Sequence, residues 1–438
     1  MKVKDIKKLL PDLNNYRCDV LPILENLNFT PGKIFTQGVS ELMSFDFDHD
    51  IKASVNFSMF KRFVSALEPN DELTLAVNGL RIAFIINGKT EMTLLDELVE
   101  NLPVIREPSI ERGSFPIGRL DLSDIEKLKD ALECIGTDRL RPAMCHISLG
   151  REIASTDAHM MYFNTASDGF MTGVVDPKVS YKRNNNKIWE DQVDFNLLTQ
   201  DERSPYVTKI EETRSSFLIS GKLARMVVNA KLETEVTVFF GHQKVACEAT
   251  PGEFRVSGTE YVQFKNSLFT VIEQCCDETY PDFKSVIPNA LERDNFVTVV
   301  NTKELLKAVK AASAVASKVT HQICFKFDQS AQVHEHLTVT SEDLDFDSEF
   351  SRTIAAHTSV VHIEKRTRTV VMDNGDAQTK EVPAPKIYKE IAFNGLFLIR
   401  VLSKITTQTV EINTFAPSVC CIIDNKFLIM PVMLNKNY

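Results

Sequence analysis

The sequence predicts an α+β protein made of three similar domains, and two observations carry that expectation. A helix with a basic face followed by a strand hairpin occurs at residues 58–95, 220–249 and 393–434, each time after a second helix-and-strands block. Self-similar segments of this kind are one supersecondary unit copied along the chain. The chain also has 438 residues, too many for one core and suited to about three domains of roughly 100 to 150 residues. We place them at 1–113, 114–289 and 290–438.

In the first domain, residues 2–10 read as a short basic amphipathic helix stopped by Pro11. LPILENLNF follows at 21–29, then the alternating strands KIFTQGV and LMSFDFD. FSMFKRFVSAL is the next helix, with ELTLAVNGLRIAFIING and TEMTLL as its strands. The linker NLPVIREPSIERGSFPIG, with Pro103, Pro108, Gly113 and Pro116, ends the domain. In the second, DLSDIEKLKDALECI at 121–135 is a helix with strands around 146–155, and SGKLARMVVNAKL with EVTVFFGHQKVACEA repeats the helix and hairpin. Residues 176–214, which hold the single tryptophan Trp189, are polar and read as a long inserted loop; 251–265 reads as an additional hairpin. In the third, NTKELLKAVKAASAV at 301–315 precedes strands from 323 to 350. Residues 360–386 are an inserted hairpin with Asn374 and Gly375 at its turn. The last unit has a helix at 394–405 and strands at 409–414, 419–423 and 427–434.

Composition bounds the function. Hydrophobic residues at 43% and charged at 25% are ordinary for a soluble globular protein. No apolar run approaches the roughly 20 residues that span a bilayer, and the start MKVKDIKKLLPDL has no secretory core or cleavage site. A cytoplasmic protein without membrane contact is expected. The nine cysteines lie mostly in apolar patterns without a C-x-x-C and read as reduced thiols. No metal and no cofactor is expected: there is no H-E-x-x-H, no G-x-x-x-x-G-K and no G-x-G-x-x-G. Asp157 and His159 would share one strand face at i,i+2, but no third ligand, nucleophile or base stands at a usable spacing. The expectation is a binding protein, not an enzyme.

The net charge of -10 argues against a generally basic coat, so the placement of cations matters. They recur on the helices: Lys61 and Arg62, Lys127 and Lys129, Lys222 and Arg225, then Lys303, Lys307, Lys310, Arg400 and Lys404. Spacings of i,i+3 and i,i+4 put Lys222 with Arg225, the three lysines of 303–310, and Arg400 with Lys404 each on one helix face. On a single helix such a face is ordinarily just solvated. Its recurrence in every unit points to a shared basic surface. A sequence-specific regulator would need a recognition helix or zinc module, and neither is present.

The order of motifs then makes a resemblance specific. LPILENL with FSMFKRFVSAL, the hairpin Thr156, Asp157, Ala158 and His159 in RPAMCHISLGREIASTDAHMMYF, the run YPDF at 280–283 with VIP at 286–288, and the ending IMPVML follow one another as in the bacterial DNA polymerase III beta subunit, the sliding clamp. Nearly the whole chain outside the two insertions is similar to that family. Ala158 stands where the family has glycine, Met160 and Ser285 where basic residues are common, and the first helix is shorter. The resemblance implies the DNA clamp fold, with helices lining a central hole, sheets outside and a ring closed by dimerisation. It implies a processivity factor that encircles duplex DNA, meets it through those helix cations in phosphate contacts that carry no sequence information, and takes the replicative polymerase and the clamp loader through short peptide motifs. It places the homodimer contact near Phe63, Met92 and Leu94 on one side and Val315 on the other. The partner groove would be built from Met144, Thr156, Ala158, His159, Met160, Met161, Pro281, Val286, Leu428, Met430, Pro431, Val432 and Met433. The alternative is a sequence-independent DNA-binding or replication accessory protein that forms no closed ring.

Overall fold

Among the described residues, every helix after the first begins where a strand ends, and a polar side chain at the join caps it. Asn56 Oδ1 accepts from Met59 N at 3.0 Å at the head of α2 (Phe57–Ala66), which follows α1 (Val3–Asn15). Asp121 Oδ1 accepts from Asp124 N at 2.9 Å before α3 (Leu122–Ala131), and Ser220 Oγ from Leu223 N at 3.0 Å before α4 (Gly221–Asn229). Asn301 Oδ1 takes Lys303 N and Glu304 N, both at 3.1 Å, at α5 (Thr302–Val315). Asn394 Oδ1 takes Leu396 N at 2.9 Å at α6 (Gly395–Leu402). Each cap satisfies donors that the first helical turn leaves open. At Gly395 an added Cβ would lie 2.4 Å from Ile323 Cδ1, so the buried Ile323 side chain would have to move aside.

The structure is a computed structural model that describes residues 2–17, 21, 24–97, 116–167, 177–183, 206–212, 216–229, 235–246, 254–288, 295–327, 333–361, 367–371, 377–381, 390–416 and 418–434. Several sequence readings lie outside these residues: most of the first linker, Trp189, the turn at Asn374 and Gly375, and the stretch after Leu434.

The chain forms two compact units. The first comprises Met1–Leu128, Ser148–Arg151 and Ala166–Glu278; the second Lys129–Ile147, Glu152–Thr165 and Thr279–Tyr438. The middle repeat is therefore divided between them. The first unit is built on an eight-stranded antiparallel sheet in the order Ala53–Asn56, Asn26–Thr30, Lys33–Gln37, Glu41–Asp46, Phe269–Gln274, Phe254–Lys265, Val236–Ala246, Pro116–Leu120. Leu73–Asn78, Arg81–Ile86 and Lys89–Leu95 make a separate three-stranded sheet with Lys89–Leu95 at one edge. In the second unit, antiparallel neighbours run Glu152–Thr156, Met160–Thr165, Phe427–Ile429, Cys421–Ile423, Thr409–Thr414, Asn295–Asn301, Ser348–Val361, Val333–Asp343, Gln322–Lys326, Glu390–Asn394.

Several expectations are corrected. Pro11 does not stop α1, which is 13 residues long and runs through it. Its buried stripe Val3, Ile6, Leu10 and Leu13 continues past the proline. Burial of Leu13 and of Tyr16 just beyond the proline, at roughly 1.5–3 kcal/mol each, offsets the roughly 3 kcal/mol that an internal proline costs. The first helix is thus not short. Residues 251–265 are no extra hairpin, because Phe254–Lys265 is an inner strand of the eight-stranded sheet. Within 176–214 the structure has paired strands, Pro177–Arg183 with Tyr206–Glu212, where the polar composition predicts a loop. The 360–386 hairpin is present as Thr367–Val371 with Ala377–Glu381. The last helix ends at Leu402, and the terminal strand is only Phe427–Ile429; Pro431, which has no N–H for a ladder, follows at once.

Candidate functional site

The helix cations divide into two groups. Lys61 and Arg62 on α2, Lys129 on α3, Arg225 on α4, and Lys303, Lys307 and Lys310 on α5 are all exposed. On α5 the opposite face, Leu305, Ala308, Val309 and Ala312, is buried, so the three lysines form one solvent stripe. Lys127, Lys222, Arg400 and Lys404 are half-buried and paired within the chain. Lys127 Nζ lies 3.1 Å from Asp124 Oδ1, a carboxylate that also accepts from Ser167 N. Lys222 binds Glu41 and sits 4.2 Å above the Tyr16 ring. Arg400 donates to the Glu133 carbonyl, and Lys404 reaches Glu133 Oε1 at 2.7 Å. Spacing along a helix cannot tell these groups apart. Charge spacing on the later helices also misses Lys4 and Lys8, which are exposed on α1; their recurrence on one more basic helix is the signal that could have found them. Lys7 is tied instead to the Ser65 and Leu67 carbonyls at 3.0 and 2.7 Å.

Around Lys222 the first unit holds an unusual cluster. Glu273 is directly opposite Glu41 across two paired strands, and it is only 6% exposed. Its carboxylate accepts from Ser220 N at 3.0 Å and Ser220 Oγ at 2.8 Å. Burial pushes its pKa up to about 7, against the pull of the Ser220 hydrogen bonds, while Glu41 raises it further and Lys222 lowers it. Burial likewise holds the Tyr16 hydroxyl well above its ordinary value.

The residues expected to build the partner groove all lie in the second unit. Asp157 is not on a strand: it heads a tight turn, where its Oδ1 accepts from His159 N at 2.9 Å and Met160 N at 2.7 Å. The catalytic or metal pair that strand geometry would have allowed is therefore replaced by an Asx turn. Thr156 Oγ1 donates to the Met160 carbonyl at 2.8 Å and accepts from Ala158 N. Ala158 has φ +75°, the left-handed conformation that favours glycine. Ala158→Gly is expected to stabilise the protein by about 1 kcal/mol, the cost of left-handed backbone for a residue with a Cβ, measured by denaturant unfolding.

His159 is exposed, with its ring stacked on Phe397 at 5.8 Å and 21°. Its carbonyl accepts from Met430 N at 2.9 Å, and Val432 N donates to the Ala392 carbonyl at 2.9 Å. The segment after the last strand is thus fixed at both ends across Pro431. Met430 is 41% exposed and Met433 88%, while Pro431, Val432 and Met144 are half-buried. Met160, Met161 and Leu428 are core residues. Met161 and Leu428 pack with Phe415, Cys420 and Ile422, against which Phe283 and Ile287 lie. Pro281 is half-buried and Val286 exposed beside that layer. The result is an apolar layer with a rim of flexible methionines, suited to taking apolar side chains of a partner segment. The sequence leaves open whether the five methionines lie on the surface or in the core, and the structure divides them.

Among the described residues no group of His, Cys, Asp and Glu is arranged to hold a metal ion, and every described cysteine is a free thiol. No described helix is long and apolar enough to cross a membrane. At the assigned dimer positions, the Phe63 ring is 6.1 Å from Phe84, Met92 and Leu94 face Phe84 and Ile82 across the strand pair, and Val315 is half-buried in the last turn of α5.

Strand order, capped repeats and near-complete coverage define the fold as that of the DNA clamps. The chain is similar over 99% of its length to the DNA polymerase III subunit beta from Pseudomonas aeruginosa, with TM-score 0.66, 13% identity and 99% of that chain covered. It is similar to the beta subunit from Thermotoga maritima with TM-score 0.65 and 16% identity, over 99% of this chain and 98% of that one. A Pseudomonas aeruginosa sliding clamp bound to griselimycin gives TM-score 0.67 at 12% identity, over 99% and 98% of the two chains. No protein-family model and no curated protein sequence matches the chain.

Proposed function

We propose that this protein is a DNA sliding clamp, a cytoplasmic, non-enzymatic processivity factor that closes around duplex DNA as a homodimer and tethers a replicative polymerase. The observation that carries the reading is the likeness to beta subunits over 99% of both chains, which a protein sharing only one clamp-like domain would not give. Three domains at 1–113, 114–289 and 290–438 fit it. Consecutive domains would join by strand pairing, Glu41–Asp46 with Phe269–Gln274 and Met160–Thr165 with Phe427–Ile429. Lys89–Leu95, an edge strand carrying Met92 and Leu94, is left for the second copy, with Phe63 behind it and Val315 on the partner's side. A head-to-tail contact of this kind closes a ring when the rotation permits, and exposed edges are otherwise an aggregation hazard.

DNA would meet Lys61, Arg62, Lys129, Arg225, Lys303, Lys307 and Lys310, with Lys4 and Lys8 added. Lys127, Lys222, Arg400 and Lys404 are assigned to internal ion pairs first and to phosphate second. Partner peptides, from polymerase and clamp loader, would enter the groove rimmed by Ala158, His159, Val286, Met430 and Met433. The test is topological: the protein should have twice its chain mass in solution and stay on circular duplex DNA while running off the linear form. A monomer that leaves both DNAs alike would refute the ring. Met430→Ala with Met433→Ala is expected to weaken griselimycin binding about tenfold or more, as loss of two exposed anchors does, with an unchanged melting temperature. Wild-type affinity in that variant would move the groove elsewhere.

A further inference from the structure

We propose that Glu133 is a positioning residue for the partner groove: by holding Arg400 and Lys404 it sets where α6 carries Phe397 against His159. The proposal rests on the groove assignment made above. Glu133 stands in the short 3-10 turn Leu132–Cys134 that follows α3. Its carbonyl accepts from Arg400 Nη2, its Oε1 lies 2.7 Å from Lys404 Nζ and its Oε2 lies 3.8 Å from Arg400 Nε. One residue therefore engages both cations at the end of the last helix.

The contacts form a closed loop. Ser155 Oγ donates to the Ala131 carbonyl at 2.6 Å, which anchors the Glu133 turn to the strand leading into the groove hairpin. Glu133 anchors the far end of α6 through Arg400 and Lys404. Phe397, near the start of that eight-residue helix, returns to the hairpin by stacking on His159. A helix this short moves as one body, so releasing its cations shifts Phe397 and with it the rim. One turn before Glu133, Asp130 Oδ2 holds Lys426 at 3.1 Å, and the Lys426 carbonyl accepts from Phe163 N at 2.9 Å. The same short segment thus also fixes the turn that feeds Leu428 and Met430. The Lys404 and Glu133 side chains are each 27% exposed, open enough for salt to reach the pair.

The experiment is calorimetric titration of griselimycin into the full chain, at low and high sodium chloride, for three proteins. The unaltered chain is expected to bind more weakly as salt rises. Glu133→Gln, which removes the charge and keeps the volume, is expected to bind about fivefold more weakly at low salt, within the range of coupling seen between contacting residues, and to lose the salt response. Glu133→Lys combined with Arg400→Glu and Lys404→Glu is expected to recover affinity and salt response together. A purely structural role would lower the melting temperature of Glu133→Gln without flattening its salt profile. Equal affinity and salt response in Glu133→Gln and the unaltered chain would overturn the proposal, as would a folded charge-reversed chain that fails to recover. If the unaltered chain does not bind griselimycin, the groove assignment itself falls.

Discussion

Replacing Lys303, Lys307 and Lys310 together with glutamate is expected to cost most of the affinity for DNA of any sequence. The three exposed lysines lie on one stripe of α5, with the buried stripe on the other side. Each lost phosphate contact lowers the slope of log binding constant against log salt by about 0.9, so the slope should fall by about 2.7. Fluorescence anisotropy across a salt series measures this, and an unchanged slope would remove α5 from the DNA path. Lys222→Glu makes the contrast: it would leave Glu41 and Glu273 without their cation, so its first effect should be on folding of the first unit and only then on DNA.

Glu273→Gln should produce the largest change in stability, and its size depends on pH. The carboxyl is buried beside Glu41, Lys222, Tyr16 and Ser220, and its pKa is raised to about 7 from the ordinary 4.5. A raised pKa in the folded state means that the folded protein holds its proton longer than the unfolded chain. Stability is therefore fully present below about pH 4.5, and declines as pH rises until the group has ionised just above neutrality. At about 1.4 kcal/mol per pKa unit, the loss is on the order of 3 kcal/mol. Glutamine keeps an acceptor for Ser220 N and carries no charge, so the variant should match the parent at pH 5 and melt several degrees higher at pH 8. Parallel melting curves at both pH values would show that Glu273 ionises freely and that the cluster costs nothing.

Much of the architecture is legible in the amino-acid order. The helices from α2 onward can be placed to within a few residues because their apolar stripes repeat at helical spacing. Ala158, at a position where the resembling family has glycine, points to a strained turn, and φ there is +75°. Local rules fail where tertiary packing overrides them. Pro11 breaks isolated helices, yet α1 is carried through it by a buried stripe on both sides of the proline. FLIMPVML is apolar enough for a long strand, yet its pairing partner Met160–Thr165 meets only Phe427, Leu428 and Ile429.

By itself the sequence determined the repeated unit, the basic helix faces and the apolar ending, because hydrophobic periodicity and charge spacing are local properties of the chain. Only the tertiary structure decided which of those charges remain available. Lys222 and Glu41 are separated by 181 positions, and Arg400 and Glu133 by 267. An ion pair is set by distance in space, and nothing along the chain records that Glu41 lies across a strand pair from Glu273 or that Glu133 waits at the end of α6. The same holds for the methionines: Met160 and Met161 face the core and Met430 and Met433 face solvent because of a turn at Asp157 and a proline at 431, whose consequences appear only when the two segments pair.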